Sequence, residues 1–322
     1  MRAMTLPAVL LSLALAGCAG SAAPSTSGAL KTDPLPPLDH SPLLRARAAT
    51  YLKPEEPVLG VQIGGDARAY PLRSLAGHAV SNDTIDRVPV AVAYCRPCGS
   101  AVAYRTDTPK GTLTLAASGK LRDGDQLLVD RQTGTLWKQL TGTPVEGPLA
   151  GSGIQLQPLP VTLTSWTRWF QSHLESRVLA EEKGAPGAPQ PADPPDGSWV
   201  YGVVLGGAAK AYPVDLVARQ GVIDDEVGGR PIVIVADPGA DPKGRTVRVY
   251  DRGDRVFIRS GHSFLGASFV NDQSSRAWKI GEEALATTDG QQRPRLPGKL
   301  TLKAGWTAAY PGAAVYAEPK TP

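Results

Sequence analysis

The stretch Val61-Gln-Ile-Gly-Gly-Asp-Ala-Arg-Ala-Tyr-Pro71 returns later in the chain as Val203-Val-Leu-Gly-Gly-Ala-Ala-Lys-Ala-Tyr-Pro213. Seven of the eleven positions are identical, at an offset of 142. In each copy a Gly-Gly pair, which tolerates positive φ at both central positions of a tight turn, separates two short apolar runs. That is the pattern of a β-hairpin. The proline that closes each copy suits the first turn of a helix, where no amide donor is needed.

The same offset carries Asn82-Asp83 onto Asp224-Asp225, Pro89 onto Pro231 and Ser118-Gly119 onto Ser260-Gly261. With small drifts, Gln132 and Trp137 meet Gln273 and Trp278, and Trp166 meets Trp306. Matches kept in order over so long a span point to an internal duplication. The runs at 89–94, 101–104, 113–117 and 126–130 read as further strands, and short helices are expected at 71–76, 165–174 and 213–219. The expected fold is therefore mainly β (α+β with few short helices), built of two similar units packed together.

Composition agrees. Glycine (35) and proline (30) make up a fifth of the 322 residues, too little for a chain disordered throughout and too evenly spread for long helices. The formal charge of +4, without a cluster of lysine and arginine, leaves no nucleic-acid footprint. The P-loop pattern is absent, and Gly261-His-Ser-Phe-Leu265 lacks the last glycine of a nucleophile elbow.

The N-terminus carries an address. Arg2 precedes an apolar run too short to span a bilayer, and Leu15-Ala-Gly-Cys18 looks like a bacterial lipobox. The reading is a lipoprotein signal peptide at 1–17, with lipidation of Cys18 anchoring the chain to a membrane. Ala19 after Cys18, in place of an inner-membrane retention aspartate, favours the outer membrane, facing the periplasm. Residues 18–57 are rich in Pro, Ser and Ala and are expected to be a semi-extended tether. Residues 181–198 form a second Pro/Gly-rich linker, so the first unit occupies 58–180 and the second 199–317.

Apart from Cys18, the cysteines are Cys95 and Cys98, spaced C-x-x-C. Cys95-Arg-Pro-Cys98 shares the proline of thioredoxin-like motifs, but no amphipathic helix follows it to lower a thiol pKa. On a strand–turn–strand, C-x-x-C-G instead suits a metal knuckle in which both thiolates face one point. His78 is the best-placed third ligand, with Asp83, water or a substrate in the fourth position; two thiolates and an imidazole suit Cu or Zn. Two alternatives stay open: a redox-active pair exchanging with a thiol partner protein of the envelope, or a structural disulfide in a binding or assembly module. In the second unit the positions matched to Cys95, Cys98 and His78 are Asp237, Ala240 and Gln220, so all three groups vanish together. A purely scaffolding pair would be expected to persist with the scaffold. Asp130, Arg131 and Trp137 read first as a turn and a core residue, and second as the rim of a cleft.

Several segments together resemble a bacterial family catalogued as a domain of unknown function, DUF3179. They are Gly64-Gly-Asp-Ala-Arg-Ala-Tyr-Pro71, His78-Ala-Val-Ser-Asn82-Asp83, Tyr94-Cys-Arg-Pro-Cys-Gly-Ser100, Ser118-Gly119, Asp130-Arg131-Gln-Thr-Gly-Thr-Leu-Trp137 and Trp166-Thr-Arg-Trp169. The resemblance covers about residues 60–180 and implies a cell-envelope location and a common site around His78, Cys95 and Cys98, with Asn82, Asp83 and Tyr94 in its motifs. It brings no activity. This chain departs from the family's His-Glu pair, having Ala79 after His78.

Overall fold

The computed structural model describes residues 35–181, 198–237, 246–264 and 267–318. Cys18, the leader and nearly all of the second linker lie outside the described residues. The described chain is mainly β, with four short α-helices of seven residues each.

The first half opens with the expected hairpin, Pro57–Ile63 and Asp66–Pro71, turned at Gly64 and Gly65 with φ of 56° and 83°. Pro71 caps the helix Leu72–His78, which runs into the strands Val80–Ile85, Val88–Cys95 and Ser100–Arg105. A second antiparallel group follows, Leu115–Arg122, Asp125–Asp130, Leu136–Lys138 and Pro144–Glu146. The half ends with the strand Thr162–Ser165, the helix Trp166–Ser172 and the strand Arg177–Leu179. The second half runs through the same order, from Trp199–Leu205 and Ala208–Pro213 to the strand Gly298–Leu302, the helix Lys303–Ala309 and the strand Ala314–Val315.

The two halves use the same internal fixings. Tyr70 donates to Asp83 at 2.7 Å, and Tyr212 donates to Asp225 at 2.9 Å. Trp137 Nε1 donates to Asp130 at 2.9 Å, and Trp278 Nε1 donates to Asp272 at 3.1 Å. Gln132 accepts from Thr114 N at 2.8 Å, as Gln273 does from Val256 N at 2.9 Å. One sequence pairing needs correction. Trp169, not Trp166, occupies the place of Trp306: a Cβ built on Gly60 would lie 1.9 Å from the Trp169 ring, and one on Gly202 would lie 1.9 Å from the Trp306 ring. Both indoles sit four residues into their helices and cover a glycine that leaves them room.

The halves share a core. Leu59, Tyr70, Val90, Val92 and Tyr94 pack in one cluster with Tyr201, Tyr212, Ile232, Ile234 and Leu300. They also share a sheet, because Leu300 of the Gly298–Leu302 strand pairs with Ala101. Nine strands from both halves are thereby joined.

Within the segment expected to be tether, residues 38–52 are built into the body. Leu38–Asp39 pairs in parallel with the Val80–Ile85 strand, and Leu43–Arg45 pairs with Arg177–Leu179. Leu38, Ala46, Ala49 and Leu52 are buried, and these few apolar side chains tie residues 38–52 to the body.

Candidate functional site

Cys95 ends one strand and Ser100 begins the next, so the residues between them make the hairpin turn that the C-x-x-C-G pattern implied. Gly99 completes it at φ 61°. Arg96 and Pro97 are exposed, whereas both sulfurs lie beneath them, Cys95 at 0% exposure and Cys98 at 7%. The two sulfurs are joined in a disulfide. The Cys98 amide donates to Cys95 Sγ at 3.1 Å, an arrangement that favours negative charge on that sulfur when the bond opens.

His78 closes its helix beside this turn. Tyr94 N donates to Ala79 O at 2.8 Å, which carries the Val80–Ala93 ladder one step further and leaves His78 at the Cys95 end of the strand pair. Its Nδ1 lies 2.8 Å from Pro36 O. Among the described residues no group of three or more His, Cys, Asp or Glu is gathered as a metal would require, and the bonded sulfurs are not thiolates.

The remaining sequence candidates serve as fastenings elsewhere. Asp83 takes the Tyr70 hydroxyl and lies 3.7 Å from Arg68 Nε. Asn82 clasps Leu115 through both its amide and its carbonyl, at 2.9 and 2.8 Å, and also reaches Asp39 at 2.8 Å. Arg131 makes a bidentate pair with Asp39, and Asp130 holds Trp137 and Thr133. Tyr94 points into the core on the face of the sheet opposite Cys95.

A set of buried polar residues near the cysteines escaped sequence reasoning. On the Cys95 face, Ser100 Oγ receives the Gln139 amide at 2.9 Å, and Gln139 accepts in turn from Gln126 at 3.0 Å. Asp125 accepts from Leu140 N at 2.9 Å through one oxygen, while its other oxygen is buried without a partner. Burial raises its carboxyl pKa to about 6. Lys299, from the second half, is 8% exposed and donates to the Tyr310 hydroxyl at 2.7 Å. Burial lowers its pKa to about 8, with Asp125 pulling the other way. Gly99 is pressed against Leu302 and Trp199, so the second half walls the cysteine turn.

A matching seam lies where the first half's Thr162–Ser165 strand meets the second half. Asp237, at the position matched to Cys95, is bonded there to Arg168 at 3.0 Å, Arg248 at 3.2 Å and Ser268 at 2.5 Å. Glu282 holds Arg248 at 2.6 Å, takes the Thr162 hydroxyl at 2.6 Å and is paired with Arg295. Burial pushes the Glu282 carboxyl up, but Arg248 and Arg295 outweigh it and hold it well below the usual range. An open groove of about 670 Å³ crosses this network, with Gln62, His173 and Lys279 also on its walls. Burial lowers the His173 pKa, and its ring stacks on Trp169 at 4.0 Å. The groove includes neither cysteine nor His78.

Residues 32–311 match the family model described as "Protein of unknown function (DUF3179)", so the match reaches well into the second half. The chain belongs to that family. No curated protein and no solved structure matches it.

Proposed function

We propose that this chain is a lipid-anchored protein of the cell envelope, held at the outer membrane through Cys18, whose Cys95–Cys98 pair exchanges electrons with thiols of a partner protein. The observation that carries this reading is the placement of the disulfide. It lies under an exposed two-residue turn, and the more accessible Cys98 is the sulfur an incoming thiolate reaches. Attack there forms a mixed disulfide, breaks the Cys95–Cys98 bond and leaves the electron pair on Cys95, where the Cys98 amide already points. A second partner thiol then takes the partner's sulfur, so that two thiols are oxidised for each disulfide reduced. A staple role is a weaker account, because a bond between residues three apart closes too little chain to stabilise much. The repeated fixings of the two halves support reading them as copies of one ancestral unit, with the chemistry kept in the first.

Redox titration of the full-length protein in dithiothreitol or glutathione buffers, read by alkylation and mass, tests the proposal. A reversible two-electron step that is missing from Cys95→Ser/Cys98→Ser is expected. A pair that stays oxidised in excess dithiothreitol refutes it.

A metal-site reading rests on an observation of its own: the N–H···S contact within the turn and His78 at the neighbouring strand end. In the dithiol state Cys95, Cys98 and His78 are then the ligands for Cu or Zn. Elemental analysis of anaerobically reduced protein decides it; equal metal content in the wild type and the double serine variant ends that reading.

A further inference from the structure

Arg96 is exposed at the tip of the cysteine turn, between the two bonded residues. A second cation reaches the same turn from the other half of the molecule. A Cβ built on Gly99 would lie 2.9 Å from Leu302 Cγ and 2.9 Å from the Trp199 ring, and the residue that follows Leu302 is Lys303, also exposed. Among the described residues, neither Arg96 nor Lys303 is paired with a carboxylate. Trp199 and Leu302 sit opposite one another on neighbouring strands and are only half-buried, so the turn has an apolar shoulder as well.

The acidic groups nearby are already matched. The hairpin tip at Asp123 and Gly124 lies by the last helix, where a Cβ built on Gly305 would be 3.9 Å from the Gly124 carbonyl oxygen. There Asp123 pairs with Lys138 at 3.2 Å, and Glu146 pairs with Arg122 at 3.2 Å and with Lys120 at 3.9 Å. Deeper down, Asp125 and Lys299 are buried and of opposite sign. The charge left over at the surface is therefore positive. Lys303 opens its helix with no acidic residue in the first turn, a place where the helix dipole disfavours a cation, so helix stability does not account for it. The opposite seam offers an internal comparison. The corresponding helix of the first half opens with Trp166, and at the offset of 142 Arg96 meets Pro238. Neither cation recurs at its counterpart away from the disulfide.

We propose that this turn is a docking surface for an acidic partner: the thiol that attacks Cys98 is flanked by carboxylates, and Arg96 and Lys303 draw it in. The inference rests on the redox reading above and names its partner by charge. The partner's thiol gives its proton to water, and its thiolate bonds to Cys98 Sγ as the Cys95–Cys98 bond breaks, leaving the electron pair on Cys95. A second thiol of the partner then displaces Cys98, so the partner ends as a disulfide and Cys95 and Cys98 as the dithiol. The two cations take no part in the bond exchange. They raise the local concentration of an anionic thiol, an effect that salt screens beyond about 8 Å at physiological ionic strength.

The test is the rate at which small thiols of different charge open the disulfide of the full-length protein, read by alkylation and mass at low and at high salt. The probes are mercaptosuccinate, a dicarboxylate; 2-mercaptoethanol, which is uncharged; and cysteamine, which carries an ammonium group. Raising the salt is expected to slow mercaptosuccinate by about threefold or more and to speed cysteamine, with 2-mercaptoethanol as the uncharged reference. In Arg96→Glu/Lys303→Glu the two salt responses should change places. Both positions are exposed, and if that variant fails to fold the wild-type salt responses carry the test alone. Salt responses of the same sign for mercaptosuccinate and cysteamine, or a preference that survives the charge reversal, overturn the inference. Failure of the redox reading looks different, because then none of these thiols opens the pair.

Discussion

Replacing Glu282 by glutamine removes one negative charge from the network that clamps the two halves, while keeping the side chain's size. The carboxylate is 3% exposed and lies against Arg248, itself 7% exposed, and Arg295, 1% exposed. Without it Arg295 loses its carboxylate, and Arg248 keeps only Asp237 at 3.2 Å. Breaking a buried pair of this kind costs about 3–5 kcal/mol, because the surviving cation stays desolvated. Against a total stability of roughly 5–15 kcal/mol that is a large share, and it corresponds to a fall in melting temperature of roughly 10 °C. The sign of the pH dependence follows from the carboxyl being held below its ordinary value by Arg248 and Arg295 against the opposing effect of burial. Its contribution is complete above the unfolded pKa, about 4.3, and is lost as pH falls through the folded value. The gap between wild type and Glu282→Gln should therefore be full at neutral pH and close in strong acid. Urea denaturation across that range is the assay. A loss below about 1 kcal/mol at neutral pH, or a gap that does not narrow in acid, would refute the reasoning.

Further outcomes follow from other contacts. Gly60→Ala and Gly202→Ala each drive a methyl into an indole at 1.9 Å and should each destabilise by about 3 kcal/mol or more; similar losses in calorimetry would show that both indoles bear on their glycines alike. Asn82→Ala leaves the amide and carbonyl of Leu115 unpaired in a buried position and should cost about 2–3 kcal/mol, which chemical denaturation measures directly. Burial raises the Asp125 pKa to about 6, so the folded state holds a proton that the unfolded state releases above about pH 4. Stability should accordingly fall as pH rises between those values, by up to about 3 kcal/mol, and Asp125→Asn should gain on the wild type over that window; parallel pH profiles would show otherwise. Cys95→Ser/Cys98→Ser should lose no more than about 2 kcal/mol in unfolding experiments, because so short a loop restricts the unfolded chain little.

What was legible in the sequence was what short-range chemistry dictates. The paired glycines at 64–65 announced a hairpin, Pro71 announced a helix start, and Cys95-Arg-Pro-Cys98-Gly, with no amphipathic run after it, announced a turn between strands. Lys299 and Asp125 gave no such signal, since each looks like an ordinary surface charge and they come near one another only because strands of two different sheets, 174 residues apart in the chain, are brought together. The Arg248–Glu282 network was hidden for the same reason. Strands as short as Leu38–Asp39 carry no periodicity to read, so their apolar anchors passed for tether. Trp166 and Trp169 were confused because both are helix tryptophans, and only the glycine beneath the ring tells them apart.

The joint between Ala101 and Leu300 has a consequence for biogenesis. A chain made from its N-terminus presents the Ser100–Arg105 strand, covered along Ala103–Arg105 by the Gln157–Leu159 strand, long before the segment that completes its border at Ala101 exists. In the interval that border is an open template for pairing with a neighbouring molecule. Truncated products ending before residue 298 should therefore be the sticky ones, and holdase chaperones should engage this protein until that segment is made.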